Sequence, residues 1–139
     1  MIALVLATLC TGVFAGAAIY ITLVEHPARL AAGTAAAIAE FRPSYRRAAP
    51  LQASLAAIGS LAAIVAWWQG YGSALLVAGL LQGSVIPFTL LVIYPTNGRL
   101  LDPALDGSSP EAAVLLRRWG QLHLVRSVVS GAAFILLVS

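Results

Sequence analysis

His26 and His123 are the only histidines in the chain, and each stands among other polar residues that could do chemistry. Glu25-His26-Pro27, with Arg29 following, ends one apolar stretch. Trp119, His123 and Arg126 recur at i, i+4 and i+7, one face of a helix. Asn97 follows Pro95-Thr96, and Tyr45 precedes Arg46-Arg47. An imidazole, either His123 or His26, can take a proton as general base. A guanidinium and a carboxamide, Arg126 and Asn97, can then hold the developing oxyanion. Two imidazoles with Glu25 are alternatively a ligand set for a transition metal with open positions, His26 and His123 being the metal ligands. A third reading makes the same groups structural polar contacts. The metal pattern is incomplete: there is no HExxH, and Glu25 and His26 as neighbours point about 100° apart on a regular helix. Pro27 disfavours helical geometry at His26, so the break could aim both side chains inward.

Four elements must bring these residues together. All charged residues fall between Glu25 and Arg47 or between Arg99 and Arg126; residues 1–24, 48–98 and 127–139 carry none. With 60% hydrophobic and only 9% charged residues, the chain is far below the roughly 25% charge of soluble domains. It reads as one integral membrane domain, residues 1–139, all-α, with spans at about 2–24, 48–68, 74–94 and 119–138. The first span covers about 34 Å, enough for a hydrocarbon core about 30 Å thick. It is too long for the apolar region of a signal peptide, and no basic segment precedes it. Leu30 to Phe41 reads as a short interfacial helix ended by Arg42-Pro43. Ser108-Ser109-Pro110-Glu111 resembles a capping box with Ser108 as N-cap, so helix 4 starts in the cytoplasm. Proline should stop span 3 at Pro95 and kink it at Pro87.

Alternating spans place both charged windows at one membrane face. All eight basic residues are arginine, and basic residues are retained inside, so both termini and the Trp67-Trp68…Tyr71 turn should lie outside. The location expected is a bacterial inner membrane. The net charge of +3 reads as membrane orientation, with no aromatic-rich basic stripe for nucleic acid. Arg42, Arg46, Arg47, Arg117 and Arg118 serve that orientation and attract anionic lipid. Gly12-x-x-x-Gly16 and Gly79-x-x-x-Gly83 allow close helix approach, within the bundle or as a homo-oligomer face. Gln52 and Gln82 are helix-to-helix glue. Cys10, the only cysteine, cannot form an internal disulfide. Arg126 lies about 20 Å in from the C-terminal surface, where an arginine costs roughly 2.5–3.5 kcal/mol and seeks a partner. Depth counting nominates Glu25.

Glu25-His26-Pro27-Ala28-Arg29, Phe41…Tyr45-Arg46-Arg47-Ala48, Pro95-Thr96-Asn97…Leu100 and Trp119…His123…Arg126 together resemble the DUF1772 family, the anthrone oxygenase-like group of small four-span membrane proteins. The resemblance covers nearly the whole chain. It implies functional positions at Glu25, His26, Asn97, His123 and Arg126, with Arg29, Tyr45 and Trp119 toward substrate. It also implies an oxidoreductase, an oxygenase acting on an anthrone-, phenol- or quinone-like molecule, working without a cofactor or at a histidine-held metal. The rival expectation is a non-enzymatic accessory or ligand-binding membrane protein whose polar cluster is structural. A transporter fits less well, since no ionisable residue lies in the outer half of the spans.

Overall fold

The computed structural model describes residues 1–139 and contains no strand. Four helices follow one another: α1 (Ile2–Ala31), α2 (Thr34–Trp68), α3 (Ser73–Leu101) and α4 (Pro110–Val138), each long and apolar enough to cross a membrane. Of 113 backbone hydrogen bonds, 100 run inside helices, as hydrocarbon demands where no water can satisfy N–H and C=O groups. Each helix packs on its sequence neighbours, and α4 closes against α1. The result is an up-down-up-down bundle whose connections lie alternately at two ends.

Lipid offers no hydrophobic drive between helices, so packing depends on close approach through small residues. Alanines such as Ala7, Ala18, Ala63, Ala66 and Ala78 fill the seams. A Cβ on Gly79 would meet the Ser60 carbonyl at 3.0 Å, and one on Gly12 would meet the Phe134 ring at 2.8 Å. Gly83 lies equally tight on Ser60. Three of the four glycines in the two GxxxG pairs are therefore occupied inside the bundle; only Gly16 has open space beside it.

The helices run further than proline positions suggest. α1 continues through Pro27 and α3 through Pro95. In both, a wide π-turn sits just ahead of the proline: Ile21–Glu25 before Pro27, Thr89–Ile93 before Pro95. The His26 N–H reaches Ile21 and the Tyr94 N–H reaches Thr89, and this widening makes room for a ring that would clash in a regular turn. The separate interfacial helix does not exist. The chain breaks at Ala32-Gly33, where Gly33 has φ 95°, and α2 then runs unbroken past Pro43 and Pro50. Phe41 and Tyr45, on either side of Pro43, pack into one cluster with Ile93, Leu100, Leu116 and Trp119, which holds the helix together across the proline. Arg42 is also more than a topology marker. It donates to the carbonyls of Leu100 and Asp102 at 3.1 and 2.8 Å, satisfying the end of α3.

At the start of α4 the cap is Ser109, not Ser108. Pro110 takes the first helical position, so the extended residue before it becomes the cap and accepts from the Ala112 N–H at 3.1 Å. Glu111 is then free to pair with Arg99 across the loop.

Candidate active-site cavity

Between the aromatic cluster at the charged end and a smaller one formed by Phe14, Ala18, Ala56 and Val85, the bundle leaves a cavity of about 110 Å³. Apolar side chains make most of its wall: Phe14, Ile21, Phe41, Ala48, Ala49, Ala53, Ala56, Val85, Ile86 and Leu90. Its polar lining is Glu25, Arg29, Ser44, Tyr45, Gln52, Thr89, Trp119, His123 and Arg126. Ala53 on α2 and Leu90 on α3 are exposed, so the cavity wall reaches the outer surface of the bundle at the α2–α3 seam. Both π-turns contribute to the wall, through Ile21 and Glu25 on one side and Thr89 and Leu90 on the other. Wide turns of this kind aim residues that a regular helix would point elsewhere.

His123, 1% exposed, stacks on Trp119 with ring centroids 4.7 Å apart. Its Nδ1 meets the Thr22 hydroxyl at 3.1 Å, and Thr22 meets Ser127 at 2.7 Å. Ser127 in turn donates to the Ala18 carbonyl at 2.9 Å. Each hydroxyl has one proton. With the Ser127 proton on Ala18, Thr22 donates to Ser127 and accepts from Nδ1–H. In that arrangement Nδ1 carries the proton and Nε2 a lone pair, and in either tautomer Nε2 has no protein hydrogen-bond partner.

A second chain fixes Tyr45. The Trp119 indole N–H is a donor only, and it meets Asn97 Oδ1 at 2.9 Å. This sets the Asn97 amide, whose Nδ2 donates to the Tyr45 hydroxyl at 2.7 Å. Tyr45 is thereby an acceptor within the protein, and its own proton is available to whatever occupies the cavity.

Arg29 is buried and neutralised. It bonds Glu25 at 2.5 Å and also Glu40, and it lies over the Phe41 and Trp119 rings. Arg126 is handled differently. It is buried inside the bundle rather than reaching to the headgroups, donates to Gln52 Oε1 at 2.8 Å, and lies 5.2 Å from the Phe14 ring centre. The expected Glu25–Arg126 pair is absent, because Glu25 lies one helical turn from Arg29 and the local i, i+4 pair forms instead.

The expected site residues thus divide. Glu25, Arg29, Tyr45, Trp119, His123 and Arg126 share one cavity. His26 and Asn97 stand behind its wall. His26 packs on Trp119, with Nε2 3.0 Å from the Leu116 carbonyl and Nδ1 3.4 Å from Arg29. That placement requires Gly120, since a Cβ there would lie 2.6 Å from His26 Nε2. With both His26 nitrogens engaged, and no group of three or more His, Cys, Asp or Glu side chains gathered, the residues present do not fit a resident metal ion. Thr22, Ser127 and Phe14 were not singled out in the sequence: hydroxyls and a phenylalanine inside apolar spans look like ordinary helix packing. Gln52 does bridge helices, to Arg126, but neither amide atom of Gln82 has a partner.

A four-helix membrane bundle with a polar-tipped cavity among its helices is the class that fold and site define together. The chain belongs to the anthrone oxygenase family, whose model matches residues 41–136. The match begins at Phe41, so it takes in Tyr45, Asn97, Trp119, His123 and Arg126, while Thr22, Glu25, His26 and Arg29 precede it. No curated protein matches the chain, and no solved structure does.

Proposed function

We propose that this protein is a membrane-embedded oxidoreductase that oxygenates an apolar aromatic molecule of the anthrone, phenol or quinone type, the anthrone type being the carbon acid whose methylene group the steps below use. One observation carries the reading: a free imidazole nitrogen, a phenolic hydroxyl and a buried guanidinium meet inside apolar walls, in a chain of this family. An apolar cavity of about 150 Å³ takes up benzene. The 110 Å³ here is smaller but not closed, so one aromatic ring can lodge in it only with the remaining rings lying in the α2–α3 seam.

His123 Nε2 removes a methylene proton. The charge left behind is shared by the ring oxygen, which Arg126 and Tyr45 hold by donated hydrogen bonds. Dioxygen takes up the electron pair of the carbanion, and the proton on His123 passes to the distal oxygen, giving a carbon-bound hydroperoxide. Removal of the second methylene proton expels hydroxide, which that proton converts to water, and a ketone remains. One oxygen atom of O2 enters the product and the other leaves as water. Asn97 acts through Tyr45 in this scheme, and His26 through the packing of Trp119.

The test is conversion of anthrone to anthraquinone by protein in lipid nanodiscs under oxygen, with spontaneous oxidation subtracted. His123→Ala should lower the rate about 10²–10⁴-fold, the range of general base catalysis, in protein that still folds, with a melting temperature lowered only by the lost stacking and hydrogen bond. Wild-type turnover by His123→Ala would overturn the base assignment. A wild-type protein that binds the rings but does not turn them over would favour a non-enzymatic ligand-binding protein.

A further inference from the structure

Every side-chain carboxylate in this protein is occupied, and none pairs with Arg126. Glu25 and Glu40 pair with Arg29, and Asp102 and Glu111 pair with Arg99. Asp106 accepts from the Ser108 N–H at 2.9 Å. The two buried arginines of the cavity therefore form an internal contrast. Arg29 is given two carboxylates. Arg126, 8% exposed, is given only neutral partners, the Gln52 amide oxygen and the face of Phe14. Its Nε has no partner at all. A buried arginine that only stapled helices would be neutralised, because an uncompensated charge away from water is costly. Gln52 and Phe14 instead hold the guanidinium in place while leaving its charge in force.

We infer that the cavity binds its ligand as an anion, an aromatic ring system bearing one carboxylate- or phenolate-type oxygen that becomes the counter-ion of Arg126. The inference deepens the proposed function in that it rests on this cavity being the ligand site; it does not depend on the oxygenation step. The ring occupies the alanine-lined wall, and the negative oxygen faces Arg126 with the Tyr45 hydroxyl alongside. The substrate class narrows accordingly, from any flat apolar molecule to one that is ionised, or becomes so, at a single oxygen. A neutral polycyclic hydrocarbon of the same shape leaves the arginine unpaired.

The probe pair is 2-naphthoate and its neutral isostere 2-naphthamide, titrated calorimetrically at neutral pH into protein in zwitterionic nanodiscs, with empty discs as the blank. Wild-type protein should prefer the acid by about tenfold or more, as a charge-assisted bond implies. Arg126→Gln should erase the preference. Gln52→Glu supplies the missing carboxylate in place, so it should erase the preference as well while raising the melting temperature; this arm remains decisive if Arg126→Gln does not fold. Equal affinity for acid and amide in the wild type, or an acid preference that survives Gln52→Glu, would overturn the inference. The Ala49→Phe variant, filling the wall, separates this from failure of the site itself. If it abolishes binding of both probes and they bind the wild type equally, the cavity stands and the anion inference falls. If neither probe binds the wild type, or Ala49→Phe changes nothing, the cavity reading falls and takes the inference with it.

Discussion

Asn97 shows how a residue away from the cavity can control one that lines it. Its two amide atoms have different neighbours, a pure donor in Trp119 and a hydroxyl in Tyr45, and the first decides how the second is used. Asn97→Asp keeps an acceptor for the indole but turns the group facing Tyr45 into an acceptor too. The Tyr45 proton should then point at residue 97 rather than into the cavity. Loss of one oxyanion donor costs about 10²-fold in kcat. Steady-state kinetics on anthrone should show that loss in kcat with little change in KM and an intact fold. An unchanged kcat would remove Tyr45 from the mechanism. Asn97→Leu should behave otherwise: a buried indole N–H without a partner costs about 1–3 kcal/mol, read as a lower unfolding midpoint. The contrast between the two variants separates direction of a proton from simple packing.

The helices matter here mainly through their two wide turns. A π-turn holds one residue more than the helix needs, so removing one residue restores a regular turn without rotating either flank. Leu23 is exposed within the turn of α1, which makes it the natural deletion. Its removal should leave α1 helical but bring back the clash with the Pro27 ring and lower the unfolding midpoint, while Thr22 moves off His123 and turnover collapses. Retained activity would mean that the turn accommodates Pro27 and nothing more. Neither turn was legible in the sequence. Apolar runs such as Ile21-Thr22-Leu23-Val24 carry the spans plainly, but widening by a single residue leaves hydropathy untouched. The prolines were legible and misleading for the same reason: each marks a place where a regular helix must stop, and the chain answers by ceasing to be regular. The cap at Ser109 moved by one residue because Pro110 has its own strong preference for the first helical position.

Across the whole molecule, the absence of charge from residues 1–24, 48–98 and 127–139 was enough to lay out four spans and to gather the polar groups at one end. It was not enough to pair them. Counting depth along equal rods matched Glu25 to Arg126, whereas the side chains settled pairing by local reach, with Arg29 one turn away. Charge also bears on which way the bundle faces. Arg46, Arg47, Arg117 and Arg118 are exposed at the cavity end, while Trp67, Trp68 and Tyr71 are exposed at the other, where the Met1 amino group meets the Tyr71 hydroxyl at 2.7 Å. Basic residues kept inside and aromatics at an interfacial belt predict a cytoplasmic cavity end. Cys10 is the only thiol, so a Cys10→Ser background permits single-cysteine labelling. On intact bacterial cells a membrane-impermeant maleimide should modify Gln69→Cys and should reach Ser108→Cys only after permeabilisation. The opposite pattern would turn the arginine-rich end outward. The distinction bears on the proposed function, because the cavity lies in the half of the bundle nearest those arginines. With that half inward, the ring compound of the proposed function would reach His123 and Arg126 from the inner leaflet without crossing the membrane.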